Sequence, residues 1–268
     1  MGGAERNARK RRQAQQATGS RVVTKARGGG DTKKMVAVVI GVIVVAAVVI
    51  GGVIWTKASN NATAGQSIPV VGTSLAPGVV EKRDGVVVTT GKPDAKTTID
   101  IYADFLCPIC GQFEQTYSAQ IEQQINAGTL QVKYHMVPLL NDRSNPAGYS
   151  LDSANAALAA ADAGKFTAFH DSLYKTQPGE GKRGYDKAQL IQLGKDLGIT
   201  DPKFADTINA GTYDQQLNAE FAKTAQDPAL QQTTSQGTGF GTPTVAVAGK
   251  AIQISQDWLT QLLAAKQS

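Results

Sequence analysis

Cysteine and histidine are scarce: two of each in 268 residues. Two thiolates do not complete a four-coordinate zinc or iron–sulfur centre, so a metal site would also need His135, His170 or a second chain. A structural disulfide in so small a loop would constrain little of the unfolded chain. No internal repeat is present. Acids are nearly missing from residues 1–34, where ten Lys and Arg face only Glu5 and Asp31, a net +8. After residue 55 the balance reverses, with 17 basic and 20 acidic residues, a net −3. The overall +5 therefore belongs to the tail, and the globular part offers no basic surface for nucleic acid.

Charge is absent altogether from Met35 to Trp55 (MVAVVIGVIVVAAVVIGGVIW), 21 residues. At ~1.5 Å per residue a helix of this length spans roughly 30 Å, the thickness of a bilayer hydrocarbon core. Trp55 stands where an interfacial anchor belongs, and the basic tail precedes the span. The positive-inside rule then puts 1–34 in the cytoplasm and 56–268 outside. A cleaved signal peptide is the alternative, with Ala62-Thr63-Ala64 as its site, but the apolar run is longer than such segments need. Both cysteines fall in the outside portion, where an oxidising compartment favours disulfides.

Residues 56–84 mix Ser, Thr, Gly, Asn and Pro and read as a flexible linker. From Gly85 the pattern changes. Val86–Thr89 and Thr97–Ala103 are β-prone, and a helix from Pro108 carries Phe113, Tyr117 and Ile121 four apart, with Gly128 as its stop. Leu130–Val137 is the next strand, parallel to the one before it because a helix joins them. Residues 146 to about 230 are helical in texture, with Ser150, Asp186 and Asp201 near helix starts. A strand from Pro243 turns at Ala248-Gly249-Lys250 toward Ile252 and Ile254, and a closing helix follows Ser255.

Cys107-Pro108-Ile109-Cys110 lies where a strand hands over to a helix. A helix N-terminus carries about half a positive charge and free N–H groups, which favour a thiolate on Cys107. Pro108 suits the first helical turn because its missing N–H would have no partner there. Cys107 is then the nucleophile, and Cys110, one turn inward, resolves the mixed disulfide. Metal binding and a structural disulfide stay open beside this redox reading.

With these residues the chain resembles the DsbA-like branch of the thioredoxin superfamily. The likeness rests on Asp104-Phe105-Leu106-Cys107-Pro108-Ile109-Cys110, on Gly164-Lys165-Phe166 with Phe169-His170-Asp171, and on Gly241-Thr242-Pro243-Thr244, in order over residues 85–266. It implies an α/β thioredoxin-like fold with a helical domain inserted in the middle (about 146–230 within 85–268), here preceded by a single transmembrane helix. It also implies that Pro243 follows a cis bond, facing the cysteines, and that the Thr242 backbone pairs with extended substrate. Strongly oxidising members have His where this chain has Ile109, which implies a less depressed Cys107. The buried acid that many members place six residues before the first cysteine is Ile101 here; Asp104 either supplies a carboxylate near the pair or ends the strand.

The remaining readings are double. Tyr102, Phe105 and Phe240 line an apolar surface around Cys107 or belong to the core. His135 and His170 are hydrogen-bonded structural residues rather than ligands. The resemblance implies a thiol–disulfide oxidoreductase acting on cysteine-containing or unfolded extracytoplasmic proteins, with no organic cofactor beyond the Cys107–Cys110 pair. As an oxidase it would be recharged by a membrane partner of the DsbB or vitamin-K-epoxide-reductase kind; as a reductase or isomerase it would need a membrane electron donor. A metal-binding envelope module is the non-enzymatic alternative.

Overall fold

A computed structural model describes residues 61–234 and 237–265. The basic tail 1–34, the span Met35–Trp55 and the start of the linker lie outside the described residues. Among the described residues no helix is long and apolar enough to cross a membrane.

The site rests on β3 (Thr97–Ala103), α1 (Pro108–Ala127) and β4 (Leu130–Met136), a parallel pair with its crossover helix. In β4 the buried Leu130, Val132, Tyr134 and Met136 alternate with Gln131, Lys133 and His135, the period of a strand with one core face. β3 carries buried residues on both faces because it lies inside the sheet, between β4 and β7 (Thr244–Val247). With β1 (Val80–Asp84), β2 (Val87–Gly91) and β8 (Lys250–Ala251) the sheet order is β1-β2-β4-β3-β7-β8, antiparallel except at β3–β4. Gly128 ends α1 in the left-handed conformation, its N–H returned to the carbonyls of Gln124 and Ile125.

The segment read as a flexible linker is seated on the domain from residue 61 onward. Ile68 is 3% exposed, and the Thr63 hydroxyl donates to the carbonyls of Arg183 and Gly184, each at 3.0 Å. Gln189 Nε2 donates to the carbonyls of Thr63 and Gln66 at 2.6 and 2.7 Å. Asn126 takes the Ala76 N–H and gives to the Ser74 carbonyl. The segment then enters β1, whose inward residues are polar: Glu81 caps the start of α3 (Phe166–Lys175) through the N–H groups of Phe166 and Thr167, and Arg83 pairs with Asp162 at 2.6 Å. A strand that makes specific polar contacts has no apolar alternation to announce it.

The helical block inserted between β4 and β7 is built around α2 (Tyr149–Asp162), whose alanines 154, 156, 157 and 159–161 are all buried. Short side chains on every face let α3, α4 (Lys187–Asp196), α5 (Pro202–Ala210) and α6 (Asp214–Thr224) close around it. Asp186 and Gln189 form a capping box at α4, and Asp201 caps α5 by accepting from Lys203 N–H. Ser150 is not a cap: Gly148 holds that place, and the Ser150 hydroxyl turns inward to Asp104. A short ribbon that the sequence did not announce, β5 (Gln232–Thr234) and β6 (Gly237–Gly239), precedes β7. α7 (Trp258–Ala265) closes the chain, the Ser255 carbonyl accepting from Trp258 N–H at 3.3 Å.

Candidate active site

Cys107 is the N-cap residue of α1, with φ −71° and ψ 116°, and Pro108 begins the helix. No side chain caps the free N–H groups, so those of Ile109 and Cys110 serve the Cys107 sulfur. Both cysteines are free thiols; Cys107 is 6% exposed and Cys110 1%, while Ile109 between them is 55% exposed. The fold drives the two protons apart. The Cys107 thiol is lowered to about 6, chiefly by the hydrogen bond from Cys110, against its own burial, with help from Thr242 and the N–H groups of Cys110 and Ile109. Cys110 is pushed well above the ordinary thiol range by burial and by its neighbour Cys107.

The Thr242–Pro243 bond is cis, and Thr242 faces Cys107: Sγ lies 3.3 Å from the Thr242 carbonyl. The Thr242 hydroxyl is buried without a hydrogen-bond partner. Beside this contact a groove of about 680 Å³ runs between α1 and the β5–β6 ribbon, lined by Ile109, Phe113, Tyr117, Phe240, Thr242 and Pro243 among others, none of them charged.

Asp104 is a buried acid rather than an open one, and it does more than end β3. It is 1% exposed and accepts from Leu106 N–H at 2.8 Å, Leu140 N–H at 2.7 Å and the Ser150 hydroxyl at 2.7 Å. Burial raises its carboxyl, and these hydrogen bonds work the other way. The turn before the cysteines, the loop after β4 and the first turn of α2 are thereby joined at one carboxylate.

Of the three aromatic surface candidates, Tyr102 and Phe240 pack edge-on at 5.9 Å and Phe105 lies apart from them. Phe240 borders the groove. Phe105 is 1% exposed, packed against His170 and Tyr174, and Tyr102 lies on the far face, stacked on His135 at 4.2 Å. Both are buried, Phe105 beneath α3 and Tyr102 in a cluster with Val137, Leu230 and Ala246.

Two polar residues went unrecognised in the sequence. Glu114, one turn after Cys110, is buried 3.8 Å from His170 Nε2. Burial raises its carboxyl to about 7, with His170 lowering it and Asp171 raising it further. Its i+4 spacing from Cys110 was the available signal. Gln177, just after α3, donates to the carbonyls of Phe105 and Cys107; nothing in its sequence surroundings marks it. The histidines are held by carboxylates, His135 by Asp100 and His170 by Asp171, each at 2.9 Å. Among the described residues no three His, Cys, Asp or Glu side chains form a group that could hold a metal ion.

The sequence pattern of the family described as Thioredoxin matches residues 83–265. The serine/threonine-protein kinase PknE of Mycobacterium tuberculosis is 29% identical over 189 residues, 67% of this chain. The chain spans 31% of that relative's length. Among solved structures, the reduced disulfide bond oxidoreductase DsbG of M. tuberculosis is 30% identical with a TM-score of 0.57, over 69% of this chain and 88% of that one. Reduced DsbA from the same organism is 28% identical with a TM-score of 0.56, over 71% and 93%. The thiol-disulfide oxidoreductase MdbA of Corynebacterium matruchotii, 24% identical with a TM-score of 0.58 over 70% and 92%, shares the fold. The chain belongs to the thioredoxin family, in its DsbA-like form.

Proposed function

We propose that the chain oxidises cysteine-containing proteins outside the cytoplasmic membrane through Cys107 and Cys110. The observation that carries this reading is the division of the buried pair into a thiol held low beside Thr242 and a deeper one held high. A stable Cys107 thiolate favours the reduced form, which makes the disulfide the better oxidant. In the forward direction a substrate thiolate attacks Cys107 Sγ, breaking the disulfide and releasing Cys110, which takes up a proton. A second substrate thiolate then attacks the substrate sulfur of the mixed disulfide and expels the Cys107 thiolate. Two electrons pass from the substrate dithiol to the pair. The low-lying Cys107 is the good leaving group in that second step.

The uncharged groove beside Ile109 and Thr242 suits an extended, apolar stretch of unfolded chain next to the reacting cysteine. The basic tail and the charge-free run Met35–Trp55 support a single membrane anchor with the catalytic domain outside. Such an oxidase needs a membrane acceptor for the electrons, of the DsbB or vitamin-K-epoxide-reductase kind, and no organic cofactor of its own. Equilibration of the full chain in detergent with glutathione tests the direction. A potential of about −120 to −200 mV supports an oxidant; about −270 mV or below means a reductase and overturns the proposal. In cells, Cys110→Ser should trap mixed disulfides with envelope proteins through Cys107, and a variant that traps none would count against these residues as the redox centre.

A further inference from the structure

The redox turn is held from outside the thioredoxin part of the fold. The carbonyl of an N-cap residue normally accepts one bond, from the N–H four residues on, and Cys107 O accepts from Gly111 N–H at 3.1 Å. It accepts a second bond, from Gln177 Nε2 at 2.9 Å, and the same amide nitrogen gives to Phe105 O at 3.0 Å. The two carbonyls flank Leu106, so one side-chain amide grips the turn on either side of a fully buried residue.

The other end of the amide is fitted as closely. Gln177 Oε1 occupies the space that a Cβ on Gly111 would need, only 2.2 Å from where that atom would stand. Gly111 is the residue after Cys110, so the absent side chain and the amide form a matched pair across the boundary between α1 and the helical block. Gln177 is itself fixed: the Thr176 carbonyl before it accepts from Tyr185 OH at 2.9 Å, and Pro178 after it is buried.

We infer that Gln177 is a positioning residue for the reaction: from the helical domain it holds the Phe105–Cys107 turn, and so keeps the Cys107 sulfur against the N–H groups of Ile109 and Cys110 and against Thr242. The inference rests on the reading of Cys107 as the reactive thiol. A residue that only satisfied two buried carbonyls would affect folding and leave the sulfur alone. A residue that sets the turn must change the acidity of Cys107, because the groups that stabilise the thiolate act over hydrogen-bond distance and lose their hold when the turn rotates.

Three variants of the full chain in detergent separate these roles, read by thiolate absorbance at 240 nm across a pH titration, alongside thermal melting. Gln177→Met keeps length and removes both donors. Gln177→Glu replaces them with a negative charge facing two carbonyls. Gly111→Ala leaves the glutamine intact but pushes its flexible end away, while improving the helix propensity of α1. The Met and Ala variants should raise the Cys107 midpoint by roughly half a unit to one unit, and the Glu variant by more. The Ala variant is decisive if the Gln177 substitutions fail to fold, since it should raise the midpoint without requiring a lower melting temperature. A wild-type thiol that titrates only above about pH 8 sinks the reading of Cys107 itself, and this inference with it. A low wild-type midpoint that every folded variant leaves in place overturns the role of Gln177 alone.

Discussion

Cys107 Sγ lies 3.3 Å from the Thr242 carbonyl, so the residue before Pro243 touches the reacting sulfur from a different part of the chain, 135 residues away. Its hydroxyl is buried without a hydrogen-bond partner, and the Thr242 side chain is among the groups that lower the thiol. Thr242→Val keeps the shape and removes the hydroxyl. The Cys107 midpoint should rise by about half a unit to one unit, the worth of roughly one hydrogen bond. A titration at 240 nm that shows no rise would mean the hydroxyl does not act on the sulfur.

The lowered thiol also links stability to pH. Folding moves Cys107 down from its ordinary 9.0 to about 6, so the folded, reduced protein holds a thiolate that the unfolded chain would protonate. The stabilisation is complete above about pH 9 and is lost as pH falls through 6. Compared with Cys107→Ser under reducing conditions, the wild type should gain stability steadily from pH 6 to 9. Urea midpoints for the pair that run parallel across this window would contradict the shift.

Glu114 behaves in the opposite sense. Its carboxyl moves up from 4.5 to about 7 because it is buried, so between those values the folded state holds a proton that the unfolded state has released. Stability therefore falls as pH rises through this window. Glu114→Gln removes the penalty, and should stabilise the protein by about 2–3 kcal/mol at pH 8 with little effect near pH 5. Chemical denaturation at the two pH values distinguishes this from a uniform change, which would point to lost packing against His170 instead.

Asp104 should matter more to the fold than to the titration of the thiols. Asp104→Ala strands three donors, Leu106 N–H, Leu140 N–H and the Ser150 hydroxyl. Stranding them costs about 3 kcal/mol or more, since a buried unsatisfied donor costs about 1–3 kcal/mol. Asp104→Asn keeps an acceptor oxygen and should recover most of that stability. Equal losses for both variants in urea unfolding would show that charge, rather than acceptance, is what the three donors require.

These contrasts mark where the sequence is legible. Thr97–Ala103, CPIC, the helix ended by Gly128 and the strand from Leu130 all announce themselves through local chemistry: β-branched residues, a helix-starting proline, a stop glycine. Asp104 and Gln177 act through partners 36 to 72 residues away, and local patterns carry no trace of such pairings. Phe105 shows the same limit from the apolar side. Its place beside the motif left surface and core both open, and the helix carrying His170 and Tyr174 covers it. The β5–β6 ribbon, with three residues per strand and two of those in β6 glycine, lacks the length for a period to register.

The segment before β1 is the clearest case, and it carries a measurable consequence. Composition makes residues 56–84 a linker, yet within it Ile68 is 3% exposed and backbone carbonyls at Thr63 and Gln66 are bound by Gln189. A true tether would tolerate any substitution. Burial of one large aliphatic side chain instead means that Ile68→Ala should cost about 2–4 kcal/mol, through lost transfer energy and the cavity left behind. Val70, two residues on and 46% exposed, supplies the internal control, since Val70→Ala should change stability by about 0.5 kcal/mol or less. Urea unfolding of the two variants decides the point: a large loss at 68 with none at 70 shows a strap belonging to the domain, whereas two silent variants would return the segment to the linker that its composition suggests.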